Sequence, residues 1–301
     1  MNIDGAVRVE GWERFSWLRA GFSARCGGVS SAYGGKSLNL GWKEEDTDAN
    51  VSENRHRFLH AICGDSDGGS RPSLVRSLAT VRQVHGSAVQ VVRKGDGPLA
   101  TESGRAVLEG DGLLTNVPEI MLGVQVADCV PVLVADWSRR VVGAFHAGWR
   151  GALAQIVERG IARMREEYGS RPEEMVAAVG PSIGPCCYSV GEEVRSSFEG
   201  QFGYGAELFQ AIATADAASG AGPGGRAEAS GSGGHVSLNL WEANRRQLID
   251  AGIPIHSVTV LGECTACARD RSGERKYFSH RAERGFAGRM MGAIGVVEAT
   301  T

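Results

Sequence analysis

The chain has 301 residues, of which 42% are hydrophobic, so it can bury a substantial core as one large domain or two small ones. Its formal net charge of −3 and pI near 6.2 lack the basic excess that nucleic-acid-binding proteins usually carry. The start has no apolar signal core and no run approaches 18 apolar residues, so we expect neither export nor a membrane span.

The N-terminal third predicts short strands and one helix. Residues 21–42 are rich in Gly and Ser and predict short strands joined by tight turns. The segment "DTDANVSENRHRFLHAIC" predicts a helix with Asp48 as its N-cap. The run "LATVRQVHGSAVQVV" predicts two strands around a turn at His85 and Gly86, and "EGDGLLTN" predicts a turn-rich link.

Two apolar runs in the middle of the chain each place a reactive side chain at one end. "VQVADCVPVLVAD", about Val124–Asp136, contains Cys129 before a strand, and "GAFHAGWRG" predicts a strand that ends at His146. "RGALAQIVERGIARMREEYG" follows and predicts the clearest helix of the chain, with apolar residues on one face.

The remaining segments mix strands and helices. "MVAAVGPSIGPCCYSVG" predicts a strand that enters a Gly/Pro loop, "GEEVRSSFEGQF" a short helix, and "VSLNLWEANRRQLIDAGI" a strand and a helix. "IHSVTVLGECTAC" predicts another strand, and "RKYFSHRAERGFAGRMMGAIGVVE" a strand, a loop and a final element. Such intermixing favours an α/β or α+β fold. We expect a single domain over 1–301.

One segment departs from this globular composition. Residues 213–235 are rich in Gly, Ala and Ser and have almost no bulky apolar side chain. They cannot bury enough surface to offset the entropy of ordering, so we predict a flexible insertion.

His85, Cys129 and His146 are the main candidates for chemistry, because each lies at a strand end beside Gly or a turn. Two imidazoles and a thiolate suit zinc, with a fourth position open for water or substrate. The same atoms suit a thiol nucleophile with His146 as its base. They also suit a buried thiol beside two hydrogen-bonded histidines. Spacing alone does not separate these alternatives.

The chain has seven cysteines, an odd number, and no export signal, so we expect reduced thiols in the cytoplasm. Cys264 and Cys267 have CxxC spacing, but a structural zinc ion would need two further ligands. The other pair, Cys186 and Cys187, is adjacent and chelates one metal poorly. We therefore expect no second zinc site.

Anion binding is predicted at several glycine-bounded positions. The loop "GPSIGPCCYSVG" can present backbone amides to an anion, or simply connect a strand to a helix. Arg25, Arg150 and Arg281 adjoin Gly-rich turns and are candidates for bidentate phosphate binding, with ordinary surface arginines as the alternative. Asp128 is expected to be a structural hydrogen-bond acceptor or a partner of Arg150.

Taken in order, the motifs of this chain resemble those of the YfiH/laccase-domain family. They are "FSARCGGVSS", "SLNLG", "VSENRHRF", "QVHG", "ADCVPVLVAD", "AFHAGWRG", "GPSIGPCCYSVGEEV" and "YFSHRAERGFAGRMMGAI". The resemblance covers nearly the whole chain outside the insertion. The chain departs from the family pattern at Val126, where Thr is usual, and at His280, where Tyr is usual.

The resemblance implies a fold and a site. The fold is a layered α/β/β/α arrangement with mixed sheets, similar to a toxin-type cysteine deamidase. The implied metal is zinc, with copper as the alternative, on His85, Cys129 and His146. The implied catalytic residues are Cys129, His146 and Arg150. Substrate contacts are expected from Arg25, Asn39, Gln83 and Arg281.

The implied activity is phosphorolysis of adenosine, inosine and methylthioadenosine, together with deamination of adenosine. The expected partners are therefore small purine nucleosides and phosphate, with no nucleic acid and no membrane. Three alternatives stay open: a copper-dependent polyphenol oxidase, a cysteine hydrolase or amidase that edits peptidoglycan precursors, and a binding module without turnover.

Overall fold

The computed structural model describes residues 2, 3, 5–64, 77–211 and 235–298. Residues 213–234 of the predicted insertion lie outside the described residues. The described part contains five α-helices: α1 (Asp48–Cys63), α2 (Trp149–Leu153), α3 (Ile156–Tyr168), α4 (Glu192–Gln201) and α5 (Leu240–Asp250). None of these helices is both long enough and apolar enough to cross a membrane.

Seventeen strands are described, in chain order: β1 (Asn2–Ile3), β2 (Ala6–Val7), β3 (Leu18–Ser23), β4 (Cys26–Ser30), β5 (Ser77–Arg82), β6 (Val89–Val91), β7 (Leu108–Glu109), β8 (Gly112–Thr115), β9 (Ile120–Val126), β10 (Val130–Asp136), β11 (Val141–Ala147), β12 (Met175–Val179), β13 (Ser189–Val190), β14 (Phe209–Ala211), β15 (Val236–Leu238), β16 (Val258–Val260) and β17 (Met290–Val296). One sheet has the order β1-β2-β3-β17-β9-β5-β7, a second has the order β16-β12-β10-β11-β8-β6, and β13-β15-β14 form a small third sheet.

The two large sheets pack face to face between layers of helices. Phe22 and Ile294 of the first sheet share a buried cluster with Leu133 and Val142 of the second. Helix α1 covers the outer face of the first sheet, and α3 and α5 cover the outer face of the second. This arrangement confirms the predicted layered α/β/β/α class with mixed sheets.

The central strands position the site. All seven residues of β10 and all seven of β11 are buried, as expected for strands covered on both faces. Their antiparallel register pairs Pro131 with His146. Cys129, which directly precedes β10, therefore lies at the same end of the sheet as His146.

Local predictions were confirmed only in part. The segment around His85 forms two strands around a turn, as predicted, but β5 and β6 belong to different sheets and the chain crosses between them. The supposed turn-rich link at 109–116 contains β8, which pairs with β11. The helix predicted after His146 is two helices, since Gln155 between them has a left-handed backbone with φ of 58°.

Two further predictions failed at element ends. Helix α1 has Thr47 as its N-cap, because the Thr47 hydroxyl accepts a hydrogen bond from the Asn50 N–H, whereas Asp48 is the first helical residue. The segment at 276–289 is irregular and contains no strand, so β17 alone forms the final element.

Candidate metal centre and the cavity above it

The structure brings His85, Cys129 and His146 together, as the sequence predicted. One donor atom from each lies within 4.8 Å of the others, and the two imidazole rings are 4.9 Å apart at 73°. Gly148 makes room for this cluster, because a Cβ atom there would lie 2.7 Å from the Cys129 Sγ. His146 is buried and His85 is exposed, so the cluster is reached from one side.

Asp111 organises the cluster, and sequence reasoning missed it. Its buried carboxylate accepts a hydrogen bond from the His146 Nδ1–H at 2.8 Å. It also accepts the backbone N–H groups of residues 84–86 at 2.7–3.2 Å. One carboxylate thus fixes the His146 ring, leaves its Nε2 free for the cluster, and holds the loop that carries His85.

The charges of the cluster are coupled. Burial alone would raise the pKa of the Cys129 thiol, but the charge of His146 and hydrogen bonds from His146 and His85 outweigh it and lower the pKa to about 6. Burial would lower the pKa of His146, but the charge of Cys129 and the Asp111 hydrogen bond raise it. Without a metal, both shifts favour the charged forms of the pair, a thiolate and an imidazolium.

A cavity of about 760 Å³ opens above the cluster. Its size suits a ligand of nucleoside dimensions. Its walls come from both large sheets and from the loops at their shared end, and they are lined by Gly41, Trp42, Lys43, Val81, Arg82, Gln83, His85, Arg105, Ala106, Gln125, Val126, Ala127, Asp128, Cys129, His146, Ile183, Tyr188, His280, Arg281 and Arg289.

The cavity is cationic although the whole chain is slightly acidic. Arg82 and Arg105 are neutralised by carboxylates at its rim. Lys43, Arg281 and Arg289 also line it, and within the described ranges none of these three forms an ion pair with a carboxylate. The positive charges of these three residues outnumber the single carboxylate among the lining residues, that of Asp128, and so favour an anionic ligand.

Two of the predicted substrate-binding residues line this cavity. Gln83 accepts the backbone N–H of Gln125 and donates to the Gln125 carbonyl, both at 2.7 Å, so its side chain is fixed against β9. The Arg281 guanidinium donates to the Ser189 carbonyl at 3.1 Å and lies 5.5 Å from the Tyr188 ring. Their substrate contacts stay predictions.

The other predicted residues lie outside the lining. Arg25 pairs with Glu283 at 2.5 Å, and this carboxylate neutralises its charge. Asn39 is fully buried and accepts the backbone N–H of Arg289 at 2.9 Å, so it positions a cavity residue from behind. Arg150 is exposed on α2 and stacks on Trp149. Substrate contacts by these three residues also stay predictions.

Asp128 is a structural acceptor, as expected. Its carboxylate accepts the Thr265 hydroxyl and the Arg281 backbone N–H, both at 2.7 Å. Its backbone has a positive φ of 87°, which sets the turn that aims Cys129 into the cluster. Among the described residues Arg150 is not its partner.

Comparison with known proteins places the chain in a family. A family model described as multi-copper polyphenol oxidoreductase laccase matches residues 19–297. The chain belongs to the YfiH/laccase-domain family. The crystal structure of the Bacillus licheniformis hypothetical protein YfiH superposes with a TM-score of 0.78 at 31% identity, and covers 98% of this chain and 97% of that one.

Curated members of the YfiH/laccase-domain family carry enzyme names. Purine nucleoside phosphorylase YlmD of Geobacillus stearothermophilus is 32% identical over 293 residues, which cover 94% of this chain and 95% of the relative. Adenosine deaminase RL5, from an unknown prokaryotic organism, is 30% identical over 268 residues and covers 88% of each chain.

Proposed function

We propose that this protein is a metal-dependent purine nucleoside enzyme that cleaves adenosine, inosine or methylthioadenosine with phosphate and also deaminates adenosine. The observation that carries the proposal is the His85, Cys129 and His146 cluster at the floor of a cationic cavity, in a chain aligned along nearly its full length with relatives named for these activities.

The residues of the cluster fit a metal ion. Two imidazoles and a thiolate are the donor set of a catalytic zinc site with three protein ligands. Asp111 supplies the carboxylate that such a site places behind a histidine ligand. We propose zinc rather than copper. When bound, the ion would act as a Lewis acid that polarises a substrate oxygen or an attacking water.

The cavity supplies what phosphorolysis needs from the protein. In this reaction a phosphate oxygen forms a bond to C1′ of the ribose, the C1′–N9 bond breaks, and the purine leaves with one proton gained. Lys43, Arg281 and Arg289 line the cavity and are proposed to hold the phosphate oxygens close to the sugar. Gln83 and Gln125 line the same cavity and are proposed to contact the nucleoside.

Arg150 is proposed to act from just outside the cavity. Burial and the neighbouring Cys129 thiolate raise the pKa of Tyr188 to about 12. The positive charges of Arg281 and Arg150 oppose this rise. Tyr188 is therefore a neutral hydroxyl at the cavity wall, able to donate a hydrogen bond to substrate.

Product analysis by mass spectrometry tests this proposal. Zinc-loaded protein is incubated with adenosine, with and without phosphate, beside Cys129→Ala and the control Cys26→Ser, whose thiol is exposed and outside the cavity. We expect adenine with ribose 1-phosphate, and inosine, from the parent protein and the control. No product from the parent protein, or full activity of Cys129→Ala, would refute the proposal.

A cysteine hydrolase is the second candidate, and one observation favours it. The Cys129 thiolate, His146 and Asp111 have the order and contacts of a nucleophile, base and orienting carboxylate. This candidate predicts that chelators leave activity intact and that iodoacetamide abolishes it even in zinc-loaded protein. The metal-dependent proposal predicts loss of activity with chelator and protection by zinc.

A further inference from the structure

The spacing of the cysteines in the sequence predicted no second zinc site, yet four of them lie together outside the cavity. The Sγ atoms of Cys186, Cys187, Cys264 and Cys267 are all within 4.8 Å of one another. The reason is topological: β12 and β16 are parallel neighbours, so the loops that leave their ends emerge side by side. Each loop carries one of the two cysteine pairs.

We propose that these four cysteines hold one zinc ion that ties the two loops together. In a tetrahedral four-thiolate site the Zn–S bonds are about 2.3 Å, which places neighbouring sulfurs about 3.8 Å apart. The Cys186 and Cys267 sulfurs are 3.6 Å apart, close to this spacing and far from the roughly 2.0 Å of a disulfide. Four soft ligands without a water position describe a structural site.

A backbone amide already contacts one of the sulfurs. The Gly184 N–H donates to the buried Cys264 Sγ at 3.3 Å. Such a donor stabilises a thiolate and orients it as a ligand. The CxxC turn is itself closed by the Ala268 N–H, which donates to the Cys264 carbonyl at 2.9 Å.

The zinc ion would support the wall of the cavity without taking part in the reaction. The loops are bridged beside the cysteines, where the Thr265 N–H donates to the Ser182 carbonyl at 3.0 Å. The Thr265 hydroxyl then binds Asp128, the residue before Cys129. A metal that fixes Cys264 therefore also fixes Thr265, and through it the turn that carries Cys129.

Zinc content of the purified full-length protein tests the inference independently of the catalytic proposal. Zinc per chain is measured for the parent protein, Cys267→Ser, Cys129→Ala and the combined variant, with Cys26→Ser as the control for loss of an exposed thiol. We expect two zinc ions in the parent protein and the control, one in each single variant, and none in the combined variant. One zinc ion in Cys129→Ala but none in Cys267→Ser would refute the catalytic metal site and support the four-cysteine site.

Alkylation of the parent protein gives a second readout that needs no variant to fold. Iodoacetamide labelling followed by peptide mapping is run with zinc and after chelation. We expect zinc to protect Cys186 and Cys267, both exposed, while the exposed Cys26 reacts equally in both conditions. The inference would be overturned by equal labelling of Cys186 and Cys267 in both conditions, or by an unchanged zinc content in Cys267→Ser. It would also be overturned by iron in place of zinc, or by a mass two hydrogens below the reduced chain, which indicates a disulfide.

Discussion

Replacement of Asp111 by Asn tests whether this carboxylate positions the residues of the proposed metal centre. The change keeps the shape of the side chain but removes its charge and gives one of its oxygen positions to an NH₂ group. That carboxylate accepts hydrogen bonds from the His146 ring and from the N–H groups of residues 84–86. An amide offers a single acceptor oxygen, so at least one of these donors loses its partner.

The expected effect has two parts. Loss of a carboxylate behind a ligating histidine weakens metal binding by about 10- to 100-fold, or roughly 1.4 to 2.7 kcal/mol. A buried N–H left without an acceptor lowers the free energy of unfolding by about 1 to 3 kcal/mol. Zinc affinity is measured by competition with a chromophoric chelator, and stability by urea unfolding of the metal-free protein.

Asp136→Asn is the matched control. Asp136 is also a fully buried carboxylate that accepts two backbone N–H groups, but it lies at the far end of β10, about 20 Å away. We expect this variant to lose stability and to retain zinc affinity. If Asp111→Asn binds zinc as tightly as Asp136→Asn does, Asp111 does not position the metal ligands, and the reasoning fails.

Further predictions concern space, thiol chemistry and charge. Gly148→Ala should weaken zinc binding about tenfold or more, because the added Cβ would lie 2.7 Å from the Cys129 Sγ. Gly97→Ala adds a Cβ in open space and should leave zinc affinity unchanged. Equal zinc affinities of the two variants would contradict this prediction. In metal-free protein, alkylation of Cys129 should be fast at pH 7 and become slower as the pH falls through about 6, because the lowered pKa keeps the thiol ionised above that pH. A midpoint of the alkylation rate near pH 9 would refute the thiolate–imidazolium pair. Arg281→Gln should raise the KM for phosphate more than Arg25→Gln, whose guanidinium is paired in the parent protein; the reverse order would restore Arg25 as the anion-binding residue.

Apolar periodicity predicted a mixed α/β or α+β fold, because it reports burial directly, whereas the layered arrangement was implied by the resemblance to the family. The predicted apolar strands are β10 and β11, in which polar side chains occur only at or next to a strand end, at Asp136 and His146. The errors lie where tertiary contacts override local pattern. Gln155 breaks an otherwise regular helical stripe, and the supposed link at 109–116 contains β8, which pairs with β11.

Only the site residues that belong to distinct sequence motifs could be predicted. His85, Cys129 and His146 stand in such motifs at predicted strand ends, whereas Asp111 lies in an ordinary Gly-Asp-Gly turn. Its role depends on the pairing of β8 with β11, which no local pattern contains. The same holds for the Cys186 and Cys264 pairs, whose proximity follows from the parallel neighbours β12 and β16.

Metal restoration tests the central claim most directly. The protein is stripped of metal with a chelator and dialysed. Phosphate-dependent release of adenine from adenosine is then measured without zinc and after each stepwise addition of one zinc ion per chain. We predict no release from stripped protein and recovery on zinc addition in the parent protein but not in Cys129→Ala. Undiminished release by the stripped protein would contradict a metal-dependent purine nucleoside enzyme and favour the thiol of Cys129 as the nucleophile.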